Sequence, residues 1–320
     1  MKGLRIISTG SARPAKTVTN DDLAKIVDTS DDWIYPRTGI HSRYLCGEGE
    51  TTSTLAIQAA KEAMERSGLG ADDISALICA TTSPDHVAPN VACQIQRALD
   101  MPETIPVLDI NAACTGFIYA LETARGFLTM KSAEDQPDRP LYALIVGAEH
   151  LSKMLDFTDR TTCVLFGDGA GAAVVELAED VPYASMLGAK GGDEISCEGP
   201  GPVPAKIQMD GKAVFRFATG ALTRCVDILL EKSGRTIDDI DQVICHQANE
   251  RIVDFCIRKL KAPETKFFKN MDHYGNTGAA SVALALDEAM CGNVVKSGDS
   301  LLLVGFGAGL TWAGVLITVK

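Results

Sequence analysis

The chain has 320 residues, 46% of them hydrophobic, enough to bury a sizeable core as one large domain or two similar halves. Its formal net charge of −12 argues against a general nucleic-acid binder, whose phosphate contacts need a basic surface, yet leaves room for a local basic patch facing an acidic partner. Ten cysteines lie scattered without a C-x-x-C pair, which fits reduced thiols in a cytoplasmic protein better than disulfides or a zinc site.

Met1 to Ile7 becomes polar too soon for a signal peptide, and no run of about 18 apolar residues exists, so a soluble protein with no membrane partner is expected. Residues 4–9 read as a short strand. Thr19 caps one helix, and Thr29-Ser30-Asp31-Asp32 opens another with acids in its first turn. An amphipathic helix is predicted over 52–67, ended by Gly68, then a buried strand over 74–81 and a loop from Pro84 to Pro89. Residues 91–99 read as a helix, 105–108 as a strand, and 117 to about 128 as a second apolar-periodic helix. Residues 131–140 read as a polar surface connection, and 141–148 as a buried parallel-type strand. Phe166 to Gly171 is glycine-rich but lacks phosphate-loop spacing, so a tight turn before strand 172–176 is expected.

The second half echoes the first. Glu65-Arg66-Ser67-Gly68 and Asp72-Asp73-Ile74 recur as Glu231-Lys232-Ser233-Gly234 and Asp238-Asp239-Ile240, at a constant spacing of 166 residues. A period this long suggests a duplicated α/β unit, two largely parallel sheets with crossover helices about a pseudo-two-fold axis. The halves are placed at 1–175 and 176–320. Gly278-Ala279 falls where the first half has Ala113-Cys114, so only one helix start carries a thiol.

Cys114 sits between a strand and a helix, where free N–H groups and the macrodipole favour negative charge, and its thiol pKa is expected to fall. Read alone, it is either a nucleophile or a buried core thiol. His246 follows the strand 242–245, at the end where open α/β sheets bind ligands, and a packed core histidine is the competing reading. Asn276 lies in a glycine-flanked turn, and Gly305 to Gly309 can present backbone N–H groups. His41, His86, His150 and His273 are assigned surface or packing roles.

Taken with Ser30–Ile34, Arg37–Ile40, Ala92–Gln96, Ala112–Cys114, Phe166–Gly171, His246–Asn249, Gly275–Thr277 and Gly305–Trp312, the chain resembles the thiolase superfamily. Within it, the β-ketoacyl-acyl-carrier-protein synthase III enzymes that start fatty-acid chains are most similar. The resemblance implies a layered αβαβα fold of two pseudo-symmetric halves and a Cys114, His246, Asn276 triad. It also implies an oxyanion hole at the N–H groups of Cys114 and Ala308. Further implied contacts are Thr29, Trp33, Arg37, Lys153 and Asn249 for coenzyme A, and Arg251, with Arg258 and Lys259, for the acidic carrier protein. A homodimer is implied, with acyl-CoA and malonyl-acyl-carrier protein as substrates and neither cofactor nor metal. Ala88 stands where acetyl-restricted members carry phenylalanine, which implies a deeper acyl pocket. A polyketide-type condensing enzyme is the nearest alternative. A thiolase would carry a second cysteine in the last glycine motif, and an elongating synthase a second histidine in place of Asn276. A scaffold member would lose part of the triad, and a cysteine hydrolase would need no malonyl donor.

Overall fold

Where buried apolar runs alternate with capped amphipathic segments, the computed structural model, which describes residues 2–135, 139–198 and 206–320, lays strands beneath helices. Five strands of the first half lie side by side in the order Val107–Ile110, Ile74–Ala80, Tyr142–Glu149, Gly169–Ala178, Gly3–Ala12. The second half repeats that order with Phe267–Phe268, Gln242–Cys245, Ser300–Gly307, Gly309–Val319 and Ala184–Gly192. In both sets the first three strands are parallel and the next two antiparallel to their neighbours.

Each sheet is therefore mixed, where a largely parallel one was expected. In the second half the reason is local: a single residue, Ala308, separates Ser300–Gly307 from Gly309–Val319, and so short a link only returns antiparallel. The two sets join at one end, where Gly3–Ala12 runs parallel to the tail of Gly309–Val319 with Arg5 beside Thr318. Strand Gly169–Ala178 spans positions 175 and 176, so the expected dividing point falls inside an element.

Helices Gly116–Asp135 and Ser281–Cys291 pack between the two sheets and contact strands of both halves. Apart from Glu288, Met290 and Cys291, the residues of Ser281–Cys291 are all buried, as a helix covered on every side requires. The outer faces are covered by Thr52–Ser67 on one side and Gly211–Ser233 on the other. These two helices end alike, on Gly68 and Gly234 with φ of +69° and +65°, a left-handed C-cap that costs glycine no Cβ clash. The resulting layers are helix, sheet, helix pair, sheet, helix, the αβαβα architecture.

Several boundaries differ from expectation: the strand expected over 172–176 runs Gly169–Ala178, taking in half of the expected turn, and the first strand runs Gly3–Ala12 rather than 4–9. The strand at the sheet edge is Val107–Ile110, two residues later than predicted, because Pro106 has no N–H for a ladder and offers only its carbonyl, to Leu77 N–H at 3.0 Å. The central helix continues through Asp135, so the expected surface connection begins inside it, and residues 136–138 of that connection lie outside the described residues.

Candidate active site

Cys114 lies in a single tight turn, Ala113–Thr115, that feeds the 20-residue helix Gly116–Asp135. Ala113 holds φ at +47°, a left-handed conformation that costs a non-glycine residue about 1–2 kcal/mol and aims the turn. Gly307 closes over it: a Cβ at that position would lie 2.8 Å from Cys114 N and 3.2 Å from its Cβ. Thr115 and Thr311 hydroxyls, 2.9 Å apart, tie the turn to the strand that follows Ala308.

The Cys114 thiol does not show the lowered pKa expected from the helix start. It is pushed up to about 12, first by burial and then by the carboxylate of Glu149. The dipole at the helix start is outweighed by loss of water around the sulfur, although some Cys114 surface still opens to the cavity. At rest Cys114 is held as a thiol.

His246 is buried beside the Phe306 ring, with centroids 5.3 Å apart in an edge-on contact. Its Nδ1 lies 2.9 Å from Ser281 Oγ, and that oxygen already accepts the Gln247 N–H at 2.7 Å. Nδ1 is the one acceptor within reach of the buried Ser281 hydroxyl among the described residues, so that proton is assigned to the Nδ1 contact and the ring hydrogen to Nε2. Burial lowers the His246 pKa to about 3, so the ring is a neutral donor at physiological pH. Asn276 accepts the Gly278 N–H at Oδ1 (3.0 Å), which orients its amide and frees its NH2 group. Its own backbone is fixed to Leu165 O and Gly167 N–H, at 2.8 and 3.0 Å.

Cys114, His246 and Asn276 line one cavity of about 250 Å³, together with Phe306 and Ala308. A smaller, mainly apolar space of about 90 Å³ continues past Cys114 between Leu151, Met154, Cys197 and Ile207. Arg37 and Asn249 also line the larger cavity, and Asn249 Nδ2 donates to Arg37 O at 2.9 Å. Trp33 lies beside Arg37, whose guanidinium is 4.9 Å from the indole centroid. Thr29 lies outside the lining, its buried hydroxyl without a hydrogen-bond partner among the described residues.

Lys153 is likewise absent from the cavity lining. Its ammonium is held by Ser83 O at 2.7 Å and Pro84 O at 3.2 Å, with Asp85 Oδ1 at 3.6 Å. The second guanidinium at Trp33 comes instead from Arg160, 5.1 Å from the indole centroid. Arg258 and Lys259 lie about two turns beyond Arg251 on helix Glu250–Leu260, all three exposed, with exposed Phe255 about one turn from each. Ala88 is exposed in the loop before Asn90 and does not line this chain's own cavity.

Sequence reasoning missed Arg160, Ser281 and Glu149. Arg160 sits in a loop with no spacing rule, and Ser281 reads as an ordinary helix-start serine. Glu149 ends an apolar strand, fully buried against the Thr82 N–H at 3.0 Å, the Ser83 hydroxyl and Ala279 N–H at 3.4 Å. A charged residue closing an apolar run was the available signal.

Comparison with known proteins agrees with this geometry. Residues 108–191 match the family model for 3-oxoacyl-[acyl-carrier-protein] synthase III, and residues 230–319 match that for its C-terminal region. A β-ketoacyl-[acyl-carrier-protein] synthase III of Clostridium novyi is 43% identical over 330 residues, covering 99% of both chains. A namesake from Rhizorhabdus wittichii is 43% identical over 325 residues, with the same coverage. The crystal structure of 3-oxoacyl-[acyl-carrier-protein] synthase III from Aquifex aeolicus superposes with a TM-score of 0.89 at 41% identity, covering 99% of this chain and 100% of that one. The chain belongs to the β-ketoacyl-acyl-carrier-protein synthase III family.

Proposed function

We propose that this protein is an initiating condensing enzyme of fatty-acid synthesis, joining an acyl-CoA primer to malonyl-acyl-carrier protein with loss of carbon dioxide. The observation that carries this reading is the meeting of one thiol and two uncharged hydrogen-bond donors, Cys114, His246 and Asn276, around a single cavity.

In the first half-reaction the Cys114 sulfur attacks the primer thioester. A new thioester forms on the enzyme, the bond to the coenzyme A sulfur breaks, and the thiol proton leaves with that group. The N–H groups of Cys114 and Ala308 hold the oxyanion. In the second, the malonyl C–C bond breaks and its electron pair becomes an enolate. A general base has no task here, since no proton is removed. The enolate oxygen takes hydrogen bonds from His246 Nε2–H and the Asn276 amide, donors that suit it without a permanent counter-charge. The carbanion then attacks the acyl-cysteine, expelling the thiolate, and no cofactor takes part.

Arg37, Arg160, Trp33 and Asn249 suit the phosphates and adenine of coenzyme A, through guanidinium charge and an aromatic face, with Thr29 and Lys153 as outlying contacts. The Arg251, Arg258 and Lys259 face suits an acidic carrier protein. We read the enzyme as a cytoplasmic homodimer. Support comes from the half-buried strand Val107–Ile110 at an open sheet edge and from Val87, 85% exposed in the neighbouring loop. With Ala88 in that loop in place of a large ring, the partner's acyl pocket accepts primers longer than acetyl. Intact-mass measurement of Cys114 after incubation with acetyl- to decanoyl-CoA tests this. Acylation by several chain lengths is expected, and labelling by acetyl alone would contradict the pocket assignment.

A further inference from the structure

Three ligand-type side chains from distant parts of the sequence converge behind the active-site wall. The Cys46 sulfur, a ring nitrogen of His150 and a carboxylate oxygen of Asp168 all lie within 4.8 Å of one another. Cys46 follows strand Ser42–Leu45, His150 follows strand Tyr142–Glu149, and Asp168 immediately precedes strand Gly169–Ala178. No two of them are close in sequence, which is why cysteine spacing predicted no metal site.

The surroundings hold these groups in place. Asp168 is fully buried, and its carboxylate accepts Ser152 N–H (2.8 Å) at Oδ1, with Cys46 N–H (2.8 Å) and Ser152 O–H (2.6 Å) at Oδ2. The Cys46 thiol also faces this carboxylate, so a bound ion would take the place of the thiol proton between them. Asp168 N–H in turn donates to Tyr44 O at 2.8 Å, so main chain fixes both sides of the cluster. Such outer contacts orient ligands in known metal sites. Cys46 and His150 both retain some solvent-accessible surface, which gives an ion a way in. A cation already stands nearby: Lys153, held by the Ser83 and Pro84 carbonyls at 2.7 and 3.2 Å, acts on both Cys46 and His150, and an entering ion has to compete with it.

We propose that Cys46, His150 and Asp168 form a binding site for a thiophilic divalent cation of the Zn²⁺ class. A thiolate, an imidazole and one carboxylate select zinc or cobalt over magnesium or calcium, which take all-oxygen sets. Bond lengths of about 2.0–2.3 Å require the three atoms to draw together around the ion, with water as fourth ligand. Binding releases the Cys46 thiol proton, so the 2+ ion is balanced by one thiolate and one carboxylate. The ion ties together segments that flank the catalytic cavity: Glu149 precedes His150, and Phe166, which bridges to Asn276, lies two residues before Asp168.

The test uses the full chain carrying Cys114→Ala, so that the catalytic thiol contributes no metal ligand. Titration with Co²⁺ is followed by absorption and Zn²⁺ binding by calorimetry. The expected result is one ion per chain, a near-ultraviolet thiolate-to-cobalt band, and one proton released. Adding Cys46→Ser removes the band, and His150→Gln weakens binding at least tenfold, both at unchanged circular dichroism. Should the serine variant fail to fold, His150→Gln decides alone. Absence of the band from the Cys114→Ala chain, its survival in Cys46→Ser, or unchanged affinity in His150→Gln would overturn the proposal.

Discussion

The two central helices begin with the same backbone and opposite chemistry. Turn Ala113–Thr115 leads into Gly116–Asp135, and turn Gly278–Ala280 leads into Ser281–Cys291. The first residue of each turn is left-handed, with φ of +47° at Ala113 and +56° at Gly278. An asparagine two residues earlier accepts that residue's N–H in both, Asn111 at 3.2 Å and Asn276 at 3.0 Å. Yet the next position is Cys114 in one turn and Ala279, buried to 1% exposure, in the other. Asn111 faces solvent while Asn276 faces the cavity. The two halves share a scaffold for aiming a turn, and in the proposed reaction the nucleophile belongs to one half and the enolate donors to the other.

The comparison breaks most completely at the thiol. Cys114→Ala makes the two turns alike and should lower condensation by about 10³-fold or more, with no acyl-enzyme detectable by intact mass. Next comes the proton of the thiol itself. With a pKa near 12, the rate of Cys114 alkylation by iodoacetamide should rise about tenfold per pH unit from 7 to 10, whereas a plateau near pH 7 would show that the helix start prevails over burial. A smaller loss is expected from Ser281→Ala, which releases His246 Nδ1 from its donor. Condensation should fall about 10- to 100-fold with acylation spared, read as separate single-turnover rates. Asn111→Ala should change condensation less than twofold and cost about 0.5–1.5 kcal/mol of stability by denaturant unfolding, since its exposed hydrogen bond only shapes the turn.

Much of this was legible in the residues. The Gly68 stop located the outer helix Thr52–Ser67, because a cap is local chemistry, whereas Gly211–Ser233 was marked only by the echo of Glu65–Gly68 in Glu231–Gly234. The Cys114, His246 and Asn276 motifs were legible through the family resemblance; read alone, Cys114 and His246 each kept a packing alternative. What was not readable depends on distant contacts. Sheet direction in the second half turned on a one-residue link, and the Cys114 pKa on burial and then on Glu149. The His246 tautomer turned on Ser281, 35 residues further on. Lys153 carried the expected charge, but the carbonyls that hold it lie in a loop some 70 residues earlier in the chain.

The division of labour is tested most directly by Asn276→Ala, followed in two assays on one preparation. Intact-mass spectrometry reports acylation of Cys114 by the primer, and release of labelled carbon dioxide from malonyl-acyl-carrier protein reports decarboxylation. The account predicts acyl-enzyme at the wild-type level, with carbon dioxide release lowered about 10²- to 10³-fold by loss of one enolate donor. Equal loss of both steps, or full-rate carbon dioxide release, would contradict it.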